Sequence, residues 1–108
     1  SNELGVKLDL DYVCDNFVSS TLVEATHTIP LQKTVALCAT NSMLLVRCII
    51  EGKASIVLDT YSLLPKTNKD PHVVTFDINE NGMLGVTSQG KSLGKKINVK
   101  AKCMNDLN

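Results

Sequence analysis

The sequence predicts an all-β protein, an antiparallel two-sheet β-sandwich of about eight short strands. Three observations carry that prediction. Apolar and polar residues alternate with a period of two over much of the chain, as a strand with one buried face requires. Turn chemistry recurs at short intervals, and many short strands with frequent turns are the pattern of a sandwich. No stretch of helical period runs beyond two turns with caps at its ends.

The elements follow in order. Val6, Leu8, Leu10 and Tyr12 alternate with Lys7, Asp9 and Asp11, giving a half-buried first strand. Phe17 to Val23 reads as a second strand, with a helical turn over Thr21 to Ala25 as its rival, and it ends in the polar run before Pro30. Lys33 to Thr40 is a third, with Val35, Leu37 and Ala39 opposite Ala36 and Cys38. Asn41 and Ser42 connect it to the run from Met43 to Glu51, apolar apart from Arg47 and consistent with a strand buried on both faces. Ala54 to Leu64 is a weaker strand region, and the polar loop from Pro65 to Pro71 is bracketed by prolines. Val74, Phe76 and Ile78 then share one face of a strand, Asn79-Glu80-Asn81-Gly82 turns the chain, and Leu84 and Val86 resume the alternation. Ile97, Val99, Ala101 and Cys103 alternate in a last strand.

Composition agrees with one packed domain over residues 1–108. A chain of 108 residues can bury roughly 65% of its unfolded surface without staples. Hydrophobic residues make up 44% and aromatics only 4%, with no tryptophan, so the core must be mainly aliphatic. Eleven basic and eleven acidic residues cancel, so no bulk field recruits nucleic acid or an anionic membrane. The aromatics that stack on single-stranded bases are scarce too. No segment approaches the ~20 apolar residues of a membrane span. Ser1-Asn2-Glu3 lacks the basic-then-apolar pattern of a signal peptide and reads as the cut edge of a larger protein or a cloning remnant.

Cysteines stand at positions 14, 38, 48 and 103, without a C-x-x-C pair or a neighbouring histidine, which argues against zinc or thioredoxin-like chemistry. Cys38, Cys48 and Cys103 fall in apolar strand patterns, so the expectation is four free thiols, those three buried as small hydrophobes. Free thiols would fit a reducing compartment such as the cytoplasm. The catalytic inventory is thin. The only histidines are His27, in a threonine-rich run and expected at the surface, and His72, expected in a structural role at the start of a strand. No nucleophile elbow, phosphate-cradling glycine loop or paired-carboxylate motif is present. Asp9 and Asp11 read as a solvated strand edge. The chain reads as a protein other than an enzyme, with no metal or cofactor of its own.

The wording of the hairpin is more specific than its physics. Val-Thr-Phe-Asp-Ile-Asn-Glu-Asn-Gly-Met-Leu, residues 74–84, followed by Gly90-Lys91-Ser92-Leu93-Gly94-Lys95, resembles the signature of the β-sandwich substrate-binding domain of the seventy-kilodalton heat-shock chaperones. A polar run ending in Thr28-Ile29-Pro30 and a strand ending in Glu51-Gly52 match two further landmarks, in order and at nearly the family's spacing. The resemblance covers almost the whole chain. It implies a module that binds unfolded or extended polypeptide in a channel at one end of the sandwich, with loop main chain bonding the peptide and an apolar pocket below. It also implies a parent chain with an upstream ATPase domain, hence ATP, a downstream helical lid and co-chaperone partners.

Carried over position by position, the resemblance places a channel-floor residue at Tyr12 and the first arch residue at Asp15, next to Cys14. It places a second floor residue at Leu37 and the second arch residue at Thr40, next to Ala39. Leu45, Arg47 and Ile49 become pocket-lining positions, and His72 follows the loop proline. Tyr12, Asp15, Arg47 and His72 depart from the family's mostly apolar channel. An unpaired buried charge costs several kcal/mol, so Arg47 and Asp15 should pair, reach water or contact a ligand. A one-residue slip of this strand would instead put Leu44, Val46, Cys48 and Ile50 inside and Arg47 outside. The alternative function is a sandwich that keeps the fold as a structural or interaction module without a working channel.

Overall fold

The alternation becomes ten strands and one short helix in a computed structural model that describes residues 2–107; Ser1 lies outside the described residues. In chain order these are β1 (Asn2–Glu3), β2 (Lys7–Cys14), β3 (Asn16–Val23), β4 (Thr28–Ile29), β5 (Leu31–Leu37), β6 (Met43–Ile49), β7 (Ile56–Ser62), β8 (His72–Ile78), β9 (Met83–Ser88), β10 (Lys91–Asn98) and α1 (Val99–Leu107). Eight strands form two four-stranded antiparallel sheets, ordered β3-β2-β6-β7 and β10-β9-β8-β5. The excess over the expected eight comes from β1 and β4, two-residue pieces that pair with each other. The fold is the predicted antiparallel sandwich.

The core forms where the inward faces of the two sheets meet. Leu8 and Leu10 of β2, Leu44 and Val46 of β6, and Val74, Phe76 and Ile78 of β8 are all buried, joined by Leu84 and Val86 of β9. The hairpin is held by its turn. Asn79 accepts through Oδ1 from the N–H groups of Asn81 and Met83, at 2.9 and 3.0 Å, and Gly82 takes φ 79° where a side chain would be strained.

Three expectations need correction. First, β6 is buried on one face only. Leu44, Val46 and Cys48 face the core, while Met43, Leu45, Arg47 and Ile49 occupy the outer face, so the slipped register is the one that exists. The sheet has a helix-free, solvent-facing side, and a strand in it need bury only alternate residues. Second, the strand expected over Ile97 to Cys103 ends at Asn98 and gives way to α1. Val99 and Cys103 lie four residues apart, so they share a face of a helix as readily as of a strand, and both are fully buried. Asn98 caps the helix by accepting the Ala101 N–H at 2.9 Å, and the Val99 N–H docks on the Gly82 carbonyl at 3.0 Å.

Third, the cysteines are paired: Cys14 with Cys38 and Cys48 with Cys103, leaving none free. Both bridges join one sheet to the other or to its extension. Cys14 ends β2 and Cys38 follows β5, while Cys48 lies in β6 and Cys103 in α1, which continues from β10. Sequence separations of 24 and 55 carry no pairing signal, because connectivity is set by the fold. The thiol-based case for a reducing compartment falls with the free thiols.

Candidate functional site

The candidate site lies at the end of the sandwich where β2 turns into β3 and β5 leads into β6. The β2–β3 reversal is so tight that Cys14 and Asn16 are paired across it, and Asp15 takes φ 61°, a left-handed conformation that aspartate tolerates. The loop after β5 comes up against this turn. The Thr40 N–H donates to the Val13 carbonyl at 2.7 Å, and the Thr40 hydroxyl donates to the same carbonyl at 3.0 Å. The Asp15 N–H donates back to Thr40 Oγ1 at 3.3 Å, and the Cys14–Cys38 bridge fixes the two segments with a Cα separation of 5.2 Å. The two positions named as arch residues are therefore in direct contact.

Beside this bridge opens a cleft of about 530 Å³, lined by Asp15, Ala39, Thr40 and His72 together with Lys66 and Asp70 of the proline-bracketed loop. Its volume is in the range of ordinary ligand pockets. Its lining mixes both signs of charge. His72, opposite Leu37 in the β5–β8 ladder, is 5% exposed. Burial holds its imidazole below the ordinary histidine value, the Lys66 charge acts in the same direction, and a hydrogen bond with the Ala39 backbone opposes them.

Four of the ten residues singled out in the sequence, Asp15, Ala39, Thr40 and His72, thus line one cleft, and Cys14 is tied to its wall. Tyr12 is half-buried and packs against the core, and Leu37 is part of the core. Leu45 lines a separate shallow hollow of about 220 Å³ on the outer face, next to Val13, Phe17 and Met43. Arg47 and Ile49 line neither.

Arg47 belongs to a polar cluster on the outer face that the sequence reading missed. Its Nε donates to Asp11 Oδ2 and its Nη2 to Asp11 Oδ1 at 3.0 Å and Ser19 Oγ at 3.0 Å, while Asp9 Oδ2 lies 3.8 Å away. The Ser19 hydroxyl donates to Asp11 Oδ1 at 2.7 Å. Burial alone would raise the Asp11 carboxyl, but the hydrogen bonds from Arg47 and Ser19, with the arginine charge, outweigh it and hold the group below the usual carboxylate range. The hydrogen bond to Asp11 likewise raises Arg47. Asp9 and Asp11 are not a solvated edge, because β2 is an interior strand flanked by β3 and β6. Two acids at i, i+2 and one arginine in an apolar strand were the available signal. The antiparallel register that sets Asp9 opposite Arg47 was not.

Among the described residues, no group of three histidine, cysteine or acidic side chains converges to hold a metal ion. No family model matches the chain, and no solved structure matches it.

Proposed function

We propose that this domain binds an extended stretch of polypeptide in the cleft at the loop end of the sandwich, as a divergent relative of the chaperone substrate-binding modules it resembles. The observation that carries the reading is the junction of Asp15 with Thr40 beside the 530 Å³ cleft. Those two positions were named as a pair that arches over a peptide, and they meet at the mouth of a hollow large enough for several side chains.

The chemistry of the lining shapes the expected ligand. Lys66, Lys69 and Asp70 of the loop line the cleft together with Asp15. Peptides with polar or acidic residues flanking an apolar anchor fit this lining better than purely aliphatic ones. Arg47 does not contribute to that preference, since Asp11 and Ser19 occupy its guanidinium. By the same resemblance, ATP control, a helical lid and co-chaperones would belong to a parent chain.

Fluorescence polarisation with one apolar and one acidic-apolar peptide set tests the reading on the domain. The acidic-apolar set should bind saturably and more tightly. Lys69→Trp, which fills the cleft from an exposed position, should weaken binding at least about tenfold, or roughly 1.4 kcal/mol. Absence of saturable binding by either set would leave the interaction-module reading in its place.

A further inference from the structure

A two-sheet sandwich has four edge strands, and here three are defended against pairing with another chain. β10 carries Lys91, Lys95 and Lys96, and its ladder is irregular between Leu93 and Ile97. β7 carries Asp59 and packs against α1, whose Lys102 Nζ donates to the Leu58 carbonyl at 2.9 Å. β5 carries Lys33. β3 has none of these devices. Its eight residues, Asn-Phe-Val-Ser-Ser-Thr-Leu-Val, include no charge, proline or glycine.

Only the far end of β3 is covered. Lys33 Nζ donates to the Leu22 carbonyl at 2.9 Å, and among the described residues Leu22 is the one β3 residue whose main chain bonds outside its own sheet. The segment from Asn16 to Thr21 keeps its outer edge open, and Phe17 within it is 69% exposed. An open, uncharged antiparallel edge offers unpaired N–H and C=O groups to a further strand.

We infer that β3 is a self-association edge, at which two copies of this chain pair antiparallel about a two-fold axis near Ser19 and join their sheets into one of eight strands. Charge placement selects a second copy over a foreign strand. Asp15 stands just before the open segment and Lys33 covers its other end, seven strand positions away at Leu22, or roughly 23 Å. Within one chain they are too far apart to interact. Antiparallel pairing about Ser19 brings Asp15 of each copy beside Lys33 of the other, giving the contact twice by symmetry. Phe17, Ser19 and Thr21 share a face, so the same register sets each Phe17 against the other copy's Thr21, an aromatic–β-branched pair.

Sedimentation velocity from micromolar to millimolar protein tests this, with circular dichroism as the check on folding. The wild type should pass from monomer to dimer. Asp15→Lys and Lys33→Asp should each weaken dimerisation at least tenfold when alone, because each sets like charges together at both ends. An equimolar mixture of the two variants should dimerise again, since the mixed pair restores both attractions. Asp15 occupies a left-handed backbone position, so Thr21→Lys serves as a second probe of the same interface and should weaken dimerisation to a similar degree. A wild type that stays monomeric at millimolar concentration overturns the inference. So does a Thr21→Lys protein that dimerises like wild type, or a mixture of folded charge variants that fails to recover.

Discussion

Arg47 is the residue whose environment most constrains what mutation should do. Its side chain is 22% exposed and that of Asp11 is 11% exposed, and removing the guanidinium leaves the carboxylate half-desolvated with only the Ser19 hydroxyl. Breaking a buried pair costs about 3–5 kcal/mol. Discounted for solvent screening at this partly open site, Arg47→Ile should cost about 2 kcal/mol, measured by urea unfolding at neutral pH. The pH dependence has a definite sign. The folded Asp11 value lies below the unfolded one, so its contribution is complete above the ordinary carboxylate value near ~3.9 and is lost as pH falls through the lower folded value. Arg47→Ile should flatten the acid limb of the stability curve below about pH 4. His72 obeys the same rule at higher pH. Its folded value is depressed, so stability is full above about 6.5 and declines as the unfolded chain takes up the proton first. A His72→Gln protein should lose that decline below about pH 6.5, with the wild-type slope retained elsewhere.

Among the elements, β8 and β9 were the most legible, because alternation, turn chemistry and burial agree there. Phe76 is fully buried between neighbours in both directions along its strand, so Phe76→Ala should cost about 3–5 kcal/mol, read as a fall in the denaturation midpoint. A change under about 1 kcal/mol would mean that the site collapses to fill the cavity. β6 was legible in extent but not in face. Its apolar residues occupy both parities, and the register implied by the resemblance placed the wrong one inside, whereas the single charge at Arg47 marked the outer side. α1 was missed because Val99 and Cys103 satisfy both periods, and the decisive cues, the Asn98 cap and the docking on Gly82, depend on tertiary contact. Of the candidate site, counting in both directions from Thr28-Ile29-Pro30 singled out Asp15 and Thr40, which the structure brings into contact. The loop residues Lys66 and Asp70 were not, since nothing local in a solvated loop tells which sheet end it folds over.

At the scale of the whole molecule, the two halves of the sandwich are joined covalently as well as by packing. Each disulfide runs from the β3-β2-β6-β7 sheet to the other sheet or its helical extension, so neither sheet can separate without straining a bridge. The bridges close segments of 24 and 55 residues. In the chain-entropy account, loops of that size destabilise the unfolded state by about 3 and 4 kcal/mol respectively. Domains of this kind have total stabilities of about 5–15 kcal/mol, so the bridges are a large share of what holds this one folded. Reduction should therefore lower the thermal midpoint by at least about 15 °C, even if only half of the entropic effect is realised. Replacing Cys48 and Cys103 by serine should cost more than replacing Cys14 and Cys38, because the longer loop gains more freedom on release. Thiol titration of denatured, unreduced protein provides the direct control. It should find no free thiol, and four would mean that packing alone joins the sheets. In that case the oxidised and reduced proteins would melt together, and the stability now ascribed to the bridges would have to come from the core around Phe76.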